Sequence, residues 1–127
     1  MSTLLPMVRK PLKGVGETNL ISIIRNIINT SEDNDLEFIE IDGNTLAIKV
    51  DGLSLSTSRM PFMTYFDMGW KAMAAVSSDF LVKLSRPLYA VVSITMRGDL
   101  DLDEFRELIN GLKEGADYLG VKYLAAI

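Results

Sequence analysis

The sequence predicts an α/β (α+β) domain: a mixed β-sheet with helices packed on one face. Three observations carry this. Short apolar stretches with strand character, Leu36 to Val50, Leu88 to Met96 and Val121 to Ala126, alternate with longer segments whose apolar residues recur every three or four positions. A strong turn signal, Asp42-Gly43-Asn44, splits the first stretch into a hairpin. Apolar residues make up 48% of the 127, enough to build a core for one domain of this length.

Met1 to Lys13 pairs a short apolar patch with basic residues in an order that does not suit a secretory signal, and reads as an N-terminal arm. The remainder, 14–127, reads as a single domain. Leu20, Ile21, Ile24, Ile27 and Ile28 place an amphipathic helix over Glu17 to Asn29, despite its β-branched residues. Thr30 to Asp35 is a polar, acidic turn. Leu36 to Ile41 and Thr45 to Val50 are the hairpin strands, the second with Leu46, Ile48 and Val50 on one face. Asp51 to Pro61 is serine-rich and irregular.

Thr64 with Asp67 three residues later has the form of a capping box and opens a helix that ends near Ser78 or Asp79. Phe66, Trp70, Met73 and Ser77 form one stripe of it, and Gly69, Ala72, Ala74 and Ala75 permit close packing. Leu88 to Met96 is nearly continuously apolar and is expected to be a central strand covered on both faces or at an interface. Asp101 begins a second long helix, with Leu102, Phe105, Leu108, Ile109, Leu112 and Ala116 as its buried face. Gly120 ends it and Val121 to Ala126 is the last strand.

Composition excludes several chemistries. Cysteine and histidine are both absent, so disulfides, thiolate metal sites, cysteine nucleophiles and imidazole bases are impossible within this chain. The lack of cysteine is compatible with a cytoplasmic location. The formal net charge is −4 and no basic stripe stands out, which argues against nucleic-acid binding. No apolar run approaches the ~20 residues needed to span a bilayer. Acid–base or metal chemistry must come from Asp, Glu, Lys, Tyr or the backbone.

The sharpest motif is the run from Asp67 through Gly69-Trp70-Lys71-Ala72 to Ser77-Ser78-Asp79, followed by Arg86-Pro87-Leu88, the helix from Asp101 to Tyr118, and Leu119-Gly120-Val121. This succession resembles the N-terminal domain of the thiamine-monophosphate kinase and AIR synthase (PurM-like) family. There a Gly-Trp-Lys-Ala helix leads into an Asn-Leu-Ser-Asp element, an Arg-Pro-Leu strand and a second helix. The resemblance spans roughly 14 to 126 and is strongest from 64 to 121. It implies ATP bound with Mg²⁺ on aspartates, without a P-loop, and none is present in the sequence.

By this resemblance Asp51, Asp79 and Asp35 fall on metal-binding aspartates. Asp51, Asp79 and Lys71 fall near the nucleotide. Read from the residues alone, Asp79 is equally a helix-ending residue and Asp51 a turn residue beside Gly52, while Asp35 reads better as part of a solvated acidic loop and Lys71 as a surface lysine. Trp70, Met63, Met68, Met73 and Met96 read as core or interface.

Departures from the family pattern are also present. Its Gly-Asp-Asp reads Asp33-Asn34-Asp35. Its Glu-Gly-Val-His-Phe reads Leu55-Ser56-Thr57-Ser58-Arg59. Its closing Gly-Gly-Asp reads Ala125-Ala126-Ile127, and its C-terminal domain does not follow. The resemblance therefore leaves two functions open. One is an ATP/Mg-binding domain whose phosphoryl transfer to thiamine monophosphate requires a C-terminal domain, on this or a separate chain. The other is a catalytically inactive, stand-alone homodimerisation module of the same fold. A homodimer through the sheet is expected under both.

Overall fold

The architecture comes from a computed structural model, which describes residues 8–30 and 36–127 apart from the side chains at 57 and 58. The chain forms two compact units, Met1–Asn34 and Asp35–Ile127.

In the first unit a single 3-10 turn, Leu12–Gly14, precedes helix α1, Glu17–Ile28. Gly16 caps its start at φ 87°, a conformation that favours glycine. Asn29 closes its end in the left-handed region, φ 59°, which asparagine tolerates better than other side chains. The helix is amphipathic as its spacing indicated, and Ile24, Ile27 and Ile28 on its apolar side are more than half exposed.

The second unit opens with the hairpin of β1, Glu37–Ile41, and β2, Asn44–Ile48, paired antiparallel with Ile41 opposite Asn44. The two connecting residues, Asp42 at φ 51° and Gly43 at φ 80°, both take positive φ, as a type I′ turn requires. In this register Ile39, Ile41, Leu46 and Ile48 share one face, and Phe38 and Ala47 the other. The stretch after β2, expected to be irregular, contains one short helical turn, α2, Leu55–Ser58.

Helix α3, Tyr65–Val82, starts with the expected capping box: the Asp67 N–H donates to the Thr64 hydroxyl, and the Thr64 N–H donates to the Asp67 carboxylate at 2.9 Å. It runs past Asp79 by three residues, so that Asp79 lies inside its last turn. Its C-terminus is a Schellman motif. The Ser85 N–H donates to the Phe80 carbonyl and the Leu84 N–H to the Leu81 carbonyl, with Leu84 in the left-handed region at φ 58°. Helix α4, Leu102–Leu119, is capped by the Asp101 carboxylate, which accepts from the Asp103 N–H, and closed by Gly120 at φ 72°.

The two long helices make the most extensive contact in the molecule. It is built on glycine. A Cβ at Gly69 would lie 2.6 Å from the Leu112 nitrogen and 2.9 Å from the Gly111 carbonyl carbon, and one at Gly111 would overlap the Phe66 backbone. The buried face of α4 is therefore Gly111, Leu112, Gly115 and Ala116, while Leu102 and Phe105, assigned to it from spacing, lie toward the exposed start of the helix. Met68, Met73 and Ser77 of α3 complete the buried contact, and Trp70 packs tilted on Tyr118 with ring centres 5.2 Å apart.

Strands β3, Tyr89–Val92, and β4, Lys122–Ala126, pair in parallel across α4, forming a βαβ unit. The pairing shifts register between Ala90 and Val91. It continues beyond the ladder through Ile127 N–H to the Val92 carbonyl and Ile94 N–H to the Ile127 carbonyl. The strand itself ends at Val92, so β3 is shorter than the apolar run 88–96. Nor is it covered on both faces: Tyr89 and Val91 are 64% and 71% exposed, whereas Ala90 packs against the buried cluster of Met73, Ala116 and Val121. Both pairings of a mixed sheet are thus present, as two separate two-stranded pieces.

Candidate functional site

The end of β2 and the last turn of α3 meet at one polar centre. Lys49, immediately after β2, directs its ammonium between two carboxylates. It donates to Asp79 Oδ2 and lies 3.9 Å from Asp51 Oδ2. The other oxygen of Asp51 accepts the Gly52 N–H at 2.8 Å, which turns Oδ2 toward the lysine. The stem of Lys49 is covered, its side chain only 12% exposed, while Asp51 and Asp79 remain 46% and 34% exposed.

Asp79 is electrostatically misplaced for a purely structural residue. It sits at the helix end where the backbone carbonyls concentrate negative potential, and no basic residue of α3 lies in that turn. Lys49, reaching across from the hairpin, offsets that charge.

Lys49 and Asp51 line an open groove of about 1260 Å³, whose walls include Ala72 and Val76 of α3, Ala90 and Val92 of β3, and Glu104 of α4. At one end of it the Tyr65 hydroxyl is hydrogen-bonded to Glu104. That bond holds its pKa above the ordinary phenol value, helped by burial and the Glu104 charge and opposed by Arg59, whose guanidinium lies 4.8 Å over the ring. Tyr123, also in the groove wall, donates to the Leu112 carbonyl at 3.1 Å, and its pKa is raised by burial.

Of the residues singled out in the sequence, Asp51 and Asp79 are brought together around Lys49. Lys71 is exposed on α3 and is not among the residues that line the groove. Asp35, with the Asp33-Asn34-Asp35 segment, lies outside the described residues. Met68 and Met73 are core, as their spacing suggested. Lys49 was missed. Its only signal in the sequence is a charge breaking the apolar run from Leu46 to Val50, two residues before Asp51.

The donor set suits a hard divalent cation. Two carboxylates converge on a single cationic point, and Mg²⁺ is commonly held by one or two carboxylates, with phosphate and water oxygens completing its shell. Among the described residues no group of three or more acidic side chains gathers, so the remaining ligands would have to come from phosphate and water.

The description AIR synthase related protein, N-terminal domain, matches residues 33–125. This chain belongs to that family. AIR synthase related relatives include the thiamine-monophosphate kinase of Pyrobaculum calidifontis, 33% identical over 112 residues, which are 88% of this chain and 36% of that protein. Another is the thiamine-monophosphate kinase of Archaeoglobus fulgidus, 28% identical over 76% of this chain and 32% of that one. The fold matches AaThiL complexed with AMPPCP and TMP at a TM-score of 0.86, with 21% identity over 94% of this chain and 39% of that one. It also matches the thiamine monophosphate kinase of Aquifex aeolicus at 0.80, with 19% identity over 92% and 38%. The chain thus spans 32 to 39% of the length of these relatives. No helix among the described residues is long and apolar enough to cross a membrane.

Proposed function

We propose that this chain is the ATP- and Mg²⁺-binding N-terminal domain of a thiamine-monophosphate-kinase-like protein, active in phosphoryl transfer to thiamine monophosphate only when a C-terminal domain completes it. The observation that carries this reading is the convergence of Asp51 and Asp79, from two separate elements, on one cationic point, Lys49, which lines the groove together with Asp51. Relatives named for this kinase activity support it, as does a fold neighbour complexed with AMPPCP and TMP.

In this reading Asp51 and Asp79 would hold Mg²⁺, which would supply positive charge to neutralise and orient phosphate oxygens. The Gly52 N–H fixes one oxygen of Asp51 and leaves the other to face the cation. The apolar groove wall of Ala72, Val76, Ala90 and Val92 excludes water from one side of the nucleotide. Lys71 offers a further positive charge on the same helix as Asp79. No side chain of the centre is placed as a nucleophile, so its contribution is positioning and charge neutralisation.

The test is thermal unfolding with ATP and MgCl₂. A ligand bound only by the folded chain at 100 times its Kd adds about 2.7 kcal/mol of stability. A clear rise in Tm is expected, lost in Asp51→Asn and in Asp79→Asn. No rise at millimolar ATP would reject the reading.

A second reading is favoured by a different observation. Ile39, Ile41, Leu46 and Ile48 form an apolar hairpin face, each 40 to 49% exposed. Such a face suits pairing with a second copy through the sheet. Under this reading the chain is a catalytically inactive homodimerisation module. A stable dimer by sedimentation with no response to ATP would support it over the first.

A further inference from the structure

The centre already contains a cation of its own. Resting on the metal-site reading of Asp51 and Asp79, we propose that Lys49 is a resident counter-ion that a divalent cation must displace, so that metal entry releases the lysine into the groove.

The geometry sets up this exchange. With both carboxylates ionised, Lys49 leaves the metal-free centre with one uncompensated negative charge. A divalent cation between the same oxygens completes the neutralisation without the ammonium. Keeping both would place a full positive charge a few ångström from the metal, where the repulsion is costly. The two acceptors remain reachable by a hydrated ion, at 46% and 34% exposed, while the lysine stem is covered and fixes where the ammonium begins. Asp51 is held by its other oxygen on the Gly52 N–H, so it stays in place while its partner is exchanged. Lys49 itself lines the groove. Once released, its ammonium meets the space in which phosphate oxygens would sit, and ammonium groups are effective point-charge partners for phosphate. Metal and phosphate then bind cooperatively, because the first frees a donor for the second.

The experiment is a titration of the 127-residue chain with Mn²⁺, without nucleotide, followed by electron paramagnetic resonance. Lys49→Gln is expected to bind Mn²⁺ about tenfold more tightly than the parent, because the competing charge is gone. Equal or weaker binding by the variant overturns the proposal while leaving the metal site itself standing. Absence of Mn²⁺ binding in both overturns the proposal and the metal-site reading together. A measurement on the parent avoids any dependence on folding of the variant. The side-chain ammonium resonance of Lys49 is expected to move as Mg²⁺ is added, and a resonance unchanged at saturating metal overturns the displacement.

Discussion

The α3–α4 contact and the β1–β2 hairpin are both regular structures with an apolar side, but one side is closed and the other open. Between the helices Met68 and Leu112 fall to 2% and 7% exposure. On the hairpin Ile39, Ile41, Leu46 and Ile48, of the same size, stay at 40 to 49%. The difference does not lie in hydrophobicity. The helices approach closely because Gly69, Gly111 and Gly115 remove side chains at the crossing. The hairpin has a regular turn and register, but the residues of that face stay 40 to 49% exposed. Close packing here depends on where side chains are missing as much as on where apolar ones are present.

The most severe way to break the closed side is Gly69→Ala. The added methyl would meet the Leu112 nitrogen and the Gly111 carbonyl carbon, which are backbone and cannot rotate away. A loss of about 3 kcal/mol is expected, at the upper end of ordinary overpacking, measured by urea unfolding. Gly115→Ala provides the control: its methyl would meet the Met73 Cβ at 3.3 Å, a side-chain contact that yields a few tenths of an ångström. Its cost is expected under about 1 kcal/mol. Equal losses from both would sink the argument that backbone approach at Gly69 sets the crossing.

The ends of the same two helices sharpen the point in the opposite direction. Both close through a residue at positive φ, but α4 uses Gly120 and α3 uses Leu84, which is 97% exposed and gains nothing from its side chain. Leu84→Gly removes the clash of Cβ with its own backbone and is expected to stabilise the chain by about 1 kcal/mol. Thermal unfolding checks this, and a fall in Tm would show that Leu84 is held by something other than its cap.

Tyr123 joins the closed side to β4. Its bond to the Leu112 carbonyl contributes about 1 kcal/mol, the usual net value, so Tyr123→Phe should cost that amount at neutral pH. Burial raises its pKa above the ordinary 10.0, so on raising the pH the unfolded chain loses this proton first. The contribution is therefore complete below pH 10 and declines above it. Unfolding curves at pH 9 and about pH 11 should show the parent losing more stability than Tyr123→Phe, and parallel losses would remove Tyr123 as the cause.

Both sides were partly legible in the sequence. The capping box at Thr64, the glycine closing α4 and the hairpin turn are local chemistry, and each occurs where its residues stand. Asp51 and Asp79 could be named because a motif carries them. Lys49 could not, because its role depends on a contact 30 residues away across two elements. The same limit explains the face of α4. Apolar spacing nominated Leu102 and Phe105, but the partner helix selects the glycines, which carry no hydrophobic signal. Strand β3 was read as covered on both faces or at an interface because its apolar run is continuous; burial depends on what lies on each side, and one side of it is open within this chain.

The open side gives the smallest expected effect on the folded chain and the most direct reading of its purpose. Leu46→Thr replaces one exposed apolar residue of the hairpin with a β-branched polar one of good strand propensity. If that face is free in solution, stability should change by no more than about 0.5 kcal/mol, and the sedimentation coefficient should not change at all. If it is the surface through which two copies pair, unfolding should lose its dependence on protein concentration and the chain should sediment as a monomer, because linked association stabilises only the assembled state. Asp51→Asn, at the far side of the same hairpin's exit, should leave association untouched in either case. The two variants therefore separate an apolar face that binds a copy from a polar centre that binds a cation, although Lys49 and Asp51 of that centre follow directly on β2 of the same hairpin.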